Sequence, residues 1–344
     1  MRGAPIKAHP PSALKFDRYY RVELVFIPYK LWNNLMIRNK TIFEQFGSWI
    51  ERDGPLATIL TMPSLLWMVA IVGYPALLVF WMSLHAQSTV EAGAPFVGLD
   101  NFIRLSQSAD FWHSARRTVI WTLANLIIIV PVGVLIASLL NLNYPGRSII
   151  RSWSLLPWIF PIVVTILMWR WILDPVAGVA NFVFLRLGLV DAPVSFFSTA
   201  TLAMTTVIFV NFWRWAPFMV VVTLAALQTV PEDLYDAAKV DGASGLQAYI
   251  HITLPLIMPS IAGTSFILAI WLFNMFPPIW LMTQGGPVDA TTTLPIMIYK
   301  QGLQLFRMSD AATVSVLLLI FFVLPVSILY FRFFGRERIE TSRG

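Results

Sequence analysis

The stretch "YDAAKVDGASGLQAYIHITLP" (residues 235–255) separates two long apolar runs with acids, alanines, a glycine and an amphipathic segment ending in Leu-Pro. Pro231 suits a helix start, where its missing N–H is no loss. Glu232, Asp233 and Asp236 suit the positive end of a helix dipole. Gly242 can take a bend that other residues resist. Beyond it, Leu246, Tyr249, Ile250 and Leu254 recur at helical spacing, and Pro255 restricts how the chain continues. The pattern predicts two short helices about a bend. Ala237, Ala238, Ala243 and Gly245 have almost no side chain, so another backbone can approach closely. Glu232, Asp233, Asp236 and Asp241 face Lys239 alone between 228 and 256, so the surface is acidic and fits a basic partner. A solvated connector is the plainer alternative.

The flanking runs identify the solvent. Of the 344 residues 57% are hydrophobic and only 12% charged, with a mean hydropathy of +0.71. A soluble domain carries about a quarter charged residues, so this chain is expected to be an all-α integral membrane protein. A hydrocarbon layer needs about 20 apolar residues of helix. Six runs qualify, at 56–84, 115–140, 149–173, 200–227, 257–282 and 311–334. The absence of cysteine rules out disulfides and thiolate chemistry. His9, His85, His113 and His251 are scattered without metal-ligand spacing, and no phosphate-binding Gly-rich loop of the G-x-x-x-x-G-K-[ST] kind occurs. The net charge of +6 is read as membrane orientation, not nucleic-acid binding. The first 18 residues lack the apolar core of a cleavable signal peptide.

With both termini placed in the cytoplasm, sixteen Lys/Arg fall on the inner side and six on the outer; Arg170 and Arg214 lie inside spans. The expected organisation is a cytoplasmic or interfacial segment 1–54, a six-helix membrane domain 55–334 with an inner loop 228–256, and a cytoplasmic tail 335–344. Residues 19–50 mix aromatics with Lys/Arg and are too polar to span. They suit either a helix lying in the inner interface or packing against a partner's spans.

The string D-A-A-x3-G-x9-I-x-L-P (Asp236, Ala237, Ala238, Gly242, Ile252, Leu254, Pro255) resembles the "EAA" signature of ABC importer membrane subunits, with Asp in place of the usual Glu. "FVGLDNFIRL" (96–105) with "FW" (111–112), "WRWAPFMVVVTLAALQTVPEDLYDAAKVDGA" (213–243) and "LMTQGGPVDATTTLPIMIYKQGL" (281–303) are similar to the carbohydrate-uptake branch, the maltose-type and glycerol-phosphate-type permeases. "FRMSDAA" (306–312) departs from that pattern, where a Gly-Tyr pair would be expected. The resemblance covers about 56–334. It implies the type I importer permease fold and a non-catalytic subunit of the bacterial inner membrane. The implied partners are a second homologous permease, two ATPase subunits and an extracytoplasmic solute-binding protein that delivers a carbohydrate. ATP and Mg would be used by the ATPase, with no cofactor in this chain. The coupling contact would involve Asp236, Ala237, Ala238, Asp241, Gly242, Ala243, Ile252, Leu254 and Pro255. A secondary transporter or channel without an ATPase is the alternative.

Polar residues inside spans face a cavity or a partner helix. Asn211 and Arg214 sit at i, i+3 on one helix face, and Asn274 lies near the end of the fifth run. A guanidinium can hydrogen-bond a hydroxyl or pair with an acidic group, an amide can do both halves of a hydroxyl contact, and Trp271 can stack on a sugar face. For each of them packing within the bundle is the plainer alternative. Gly285, Gly286 and Pro287 predict a tight outer turn suited to contact with the binding protein.

Overall fold

The computed structural model describes residues 53–86 and 94–334. The expected interfacial segment 19–50 and the tail 335–344 lie outside the described residues. The chain divides into two units at Gly73/Tyr74. In the first, helix α1 (Asp53–Met68) runs into a π turn at Val69–Gly73, and the side chains from Ala57 to Val72 are all exposed.

The second unit is helical apart from one bridge between His85 and Phe96 among the described residues. Its order is α2 (Tyr74–Ser83), α3 (Asp100–Ser106), α4 (Ala109–Asn141), α5 (Arg147–Ile159), α6 (Ile162–Ile172), α7 (Val179–Arg186), α8 (Ala200–Leu227), α9 (Glu232–Val240), α10 (Gly245–Ala248), α11 (Leu254–Phe273), α12 (Pro277–Thr283), α13 (Leu294–Tyr299), α14 (Met308–Leu318) and α15 (Leu324–Phe334). Five helical stretches are long and apolar enough to cross a bilayer: Ala57–Ser83, Ala109–Asn141, Ala200–Leu227, Gly245–Phe273 and Met308–Tyr330. The sixth expected span is a pair, α5 and α6, bent by 96°. The expected run 149–173 is therefore a bent pair of helices. Pro161 has no N–H to continue the ladder, and Phe160 before it is driven to an extended backbone, ψ 139°. The expected run 257–282 is also corrected. Its helix stops at Phe273, and α12 restarts at the Pro277–Pro278 pair.

Proline is handled differently elsewhere. Three π turns, Val69–Gly73, Tyr249–Thr253 and Leu319–Val323, each end two residues before a proline, at Pro75, Pro255 and Pro325. A proline ring collides with the carbonyl four residues back. A widened turn moves that carbonyl away, so the helix continues. Pro255 therefore does not set off a separate short helix: α10, the π turn and α11 form one run from Gly245 to Phe273.

Apolar side chains from α4, α8 and α11 form the largest buried cluster, including Ile129, Met219, Ile257 and Leu268. Lipid tails are as apolar as leucine, so close packing and internal hydrogen bonds must hold the helices together. Gly133 of α4 abuts Met219 of α8, where a Cβ would stand 2.6 Å from the Met219 Cβ. Nearby, the Asn211 amide donates to the Asn125 side chain at 2.7 Å. Both contacts join residues 86 apart, so α4 and α8 lie parallel and in register. We expect Gly133→Leu to overpack this contact and destabilise the fold by about 1–3 kcal/mol. A lowered Tm of the detergent-purified protein checks it, and an unchanged Tm would show that the two helices do not approach this closely.

Candidate functional site

The loop after α8 starts as expected. Pro231 is the N-cap residue of α9, and Glu232 and Asp233 occupy its first turn. It ends at Gly242, φ +78°, with Gly242 N–H donating to the Lys239 carbonyl at 3.1 Å and Ala243 N–H to that of Ala238 at 2.9 Å. This paired closure needs a left-handed residue, which glycine adopts without strain. Ser244 then opens the next helix with a capping box: its hydroxyl accepts from Gln247 N–H, and the Gln247 side chain accepts from Ser244 N–H.

Two hydroxyl pairs seat this loop on the spans. The Tyr235 and Thr253 hydroxyls meet at 2.8 Å, as do those of Ser138 on α4 and Tyr249. Ala238 is buried beneath. A cleft of about 400 Å³ opens between Tyr235, Ala243, Tyr249 and the end of α4. Facing away are exposed Glu232, Asp233, Asp236, Ala237, Asp241 and Gly242. Ala243 and Ile252 are half-buried, Leu254 likewise, and Pro255 is exposed. Asp236 pairs with Lys239 at 2.8 Å, and its hydrogen bond raises the Lys239 pKa. The remaining surface is therefore acidic. The surface also has an apolar part: Val240 is 87% exposed and Leu246 69% exposed. Sequence reasoning placed Leu246 in the helical apolar series and missed Val240, a single apolar residue among acids that carries no periodic signal.

The mid-span residues divide in two. Asn211 is fully buried against Asn125, which donates in turn to the Trp121 carbonyl at 2.8 Å. The Trp121 indole N–H reaches across to the Leu272 carbonyl of α11 at 3.0 Å. That carbonyl belongs to the last turn of α11 and also accepts from Met275 N–H at 3.1 Å. The Asn274 amide donates to the Ile270 carbonyl of the same turn at 2.9 Å. Arg214 and Trp271 are set apart from this chain. The guanidinium lies 5.6 Å from the Trp215 ring centre, and Trp215, Phe218 and the half-exposed Trp271 form a mutual cluster at 5.4–5.8 Å. The i, i+3 spacing of Asn211 and Arg214 thus joins a buried clamp residue to one beside an aromatic surface.

Beyond the far end of α11, Gly285 adopts φ +89° and the Gly286–Pro287 bond is cis. Asp289 accepts from Lys300 at 2.6 Å and from Thr292 at 2.9 Å, and Val288 stands fully exposed at the tip. The hydrogen bond from Lys300 holds the Asp289 carboxyl below its ordinary range, against a smaller opposing effect of burial. A depressed folded pKa contributes stability above the unfolded value, about pH 4, which is lost as pH falls through the folded one. We expect faster amide exchange across 285–292 only below about pH 4, and Asp289→Asn to reproduce it at pH 7. Equal exchange in wild type and variant at pH 7 would remove the clamp.

Residues 129–336 match the family model "Binding-protein-dependent transport system inner membrane component". The trehalose/maltose transport system permease protein MalF of Thermococcus litoralis is 30% identical over 80% of this chain and 92% of its own length. The diacetylchitobiose uptake system permease protein DasB of Streptomyces coelicolor is 29% identical over 78% and 85%. Among solved structures, a bacterial ABC transporter that imports the acidic polysaccharide alginate superposes with TM-score 0.72 at 27% identity, covering 84% of this chain and 99% of that one. The chain belongs to the family of binding-protein-dependent transport system inner membrane components. It is a multi-pass membrane permease of the ABC importer kind, with the all-helical importer fold.

Removing the indole N–H with Trp121→Phe leaves the Leu272 carbonyl with Met275 N–H alone and is expected to cost about 0.5–1.5 kcal/mol. Thermal unfolding of the purified protein measures it, and a stability equal to wild type would mean that the bond between α4 and α11 does not hold the helices.

Proposed function

We propose that this chain forms half of the translocation pathway of an ATP-driven sugar importer of the bacterial inner membrane, and that residues 232–255 are its coupling element. A second homologous permease completes the pathway. Two ATPase subunits bind and hydrolyse ATP with Mg, while this chain carries no catalytic residue. A solute-binding protein delivers the carbohydrate from outside, with both termini of this chain in the cytoplasm. The observation that carries the reading is the geometry of the loop. It is a short acidic helix closed by Gly242, seated by Tyr235 and Tyr249 on the spans, with Val240 and Leu246 projecting outward. Isolated apolar side chains inside an acidic rim suit a shallow cleft on a basic partner.

In this reading Asp236, Ala237, Ala238, Asp241, Gly242 and Ala243 meet the ATPase. Ile252, Leu254 and Pro255 carry its movement into α11. Arg214, Trp271 and Asn274 line the solute path; Asn211 supports it from the α4 contact. The turn Gly285, Gly286 and Pro287 meets the binding protein. Sugar as solute is supported by the named substrates of the relatives, trehalose/maltose and diacetylchitobiose.

The chain has no native cysteine, so Ala243→Cys gives a single reporter. In membranes holding the co-expressed complex, we expect it to crosslink to a cysteine in the ATPase cleft, with a yield that changes on adding ATP. A residue 243 that labels freely and crosslinks to no ATPase would instead favour a transporter driven without ATP.

A further inference from the structure

Arg214 sits 14 residues from the start of α8 and 13 from its end, at the middle of a membrane span. A cation at that depth is costly and needs a partner or water. Among the described residues it makes neither an ion pair nor a hydrogen bond, and its Nε is buried and unpartnered. The helices packed against α8 are α4, α5, α6, α11 and α12. They contain one acid between them, Asp110. Asp110 opens α4 fifteen residues before Asn125, the residue level with Asn211. At 1.5 Å per residue it stands roughly 22 Å away along the helix, on the side opposite to Arg214. The guanidinium stands 5.6 Å from the centre of the Trp215 ring, whose indole N–H is also buried and unpartnered. Trp271, half-exposed, continues that aromatic surface.

We propose that the transported solute is an anionic sugar, and that its carboxylate, sulfonate or phosphate group pairs with Arg214 while a ring face lies against Trp215 and Trp271. This rests on the importer reading above and narrows its substrate class. The planar fork of a guanidinium matches an oxyanion in bidentate fashion, and charge-assisted hydrogen bonds are about twice as strong as neutral ones. A neutral sugar would leave the charge in the membrane without a counter-ion. The unpartnered Trp215 N–H is a further donor close by.

The test uses the full importer, this chain with its partner permease, ATPases and binding protein, in proteoliposomes. ATP-dependent uptake is compared within matched pairs: trigalacturonate against maltotriose, and glucose 6-phosphate against glucose. We expect an acidic member to be taken up in preference to its neutral counterpart. Arg214→Gln should lower that uptake about ten- to hundred-fold, with Arg214→Lys retaining part of it. Equal uptake of the neutral member, uptake of no acidic member, or less than a two-fold effect of Arg214→Gln overturns the proposal. So does an Arg214→Gln importer that no longer holds its partner permease, since the counter-ion would then be an acid of that subunit. The Ala243 crosslink to the ATPase is measured in the same preparations. If it persists while these results go against Arg214, only the anionic class falls; if wild type lacks it, the importer reading itself falls.

Discussion

A hydrogen bond between two helices, from the Trp121 indole to the Leu272 carbonyl, governs this molecule. The helix that begins at Gly245 stops at Phe273, and in its last turn the Leu272 carbonyl accepts both from Met275 N–H and from Trp121 of α4. Asn274 folds back on the Ile270 carbonyl. Trp121 is held in place by being fully buried, and its own carbonyl receives Asn125, which in turn receives Asn211. One run of hydrogen bonds therefore fixes α4, α8 and α11 in register. Around it the apolar cluster of Ile129, Met219 and Leu268 can pack closely. Without that run, three apolar rods would have little reason to prefer one rotation over another.

The same three helices give the acidic loop 228–256 its footing. Tyr235 and Tyr249 tie it to the start of the Gly245–Phe273 helix and to the end of α4 through hydroxyl pairs. The helix is unbroken, so a push on the loop travels along about 44 Å of rod. It arrives at Phe273 and Asn274, next to the aromatic surface that includes Trp271. On the proposed reading, force and solute are linked by one element, whose Trp271 packs against Trp215 of α8.

Much of this was legible in the residues. The span Ala200–Leu227 falls where hydropathy places it, and Pro231, Gly242 and the acids after Pro231 act through local backbone chemistry that needs no tertiary context. The bend at Phe160–Pro161 was not legible. Proline breaks a helix there but is absorbed at Pro255, and the choice depends on whether a neighbour or a π turn makes room. The partner of Asn211 was hidden as well, because nothing local signals a side chain 86 residues away. "FRMSDAA", which departs from the familiar pattern, is held by partners far away in sequence. Asp310 pairs with Arg104 of α3, and Ser309 donates to the Ala86 carbonyl.

The π turns have a further consequence for the numbering of faces. A widened turn holds one residue more than an α turn and so acts as a tolerated single-residue insertion. Each residue beyond it is displaced by about 100° around the axis relative to an uninterrupted helix. Residues on either side of Tyr249–Thr253 and Leu319–Val323 therefore belong to two helical wheels, not one. A relative lacking that insertion would turn a different stripe of its span toward the pathway while keeping the same hydropathy profile. Two permeases could then share a fold and a coupling loop and yet show their solutes different side chains.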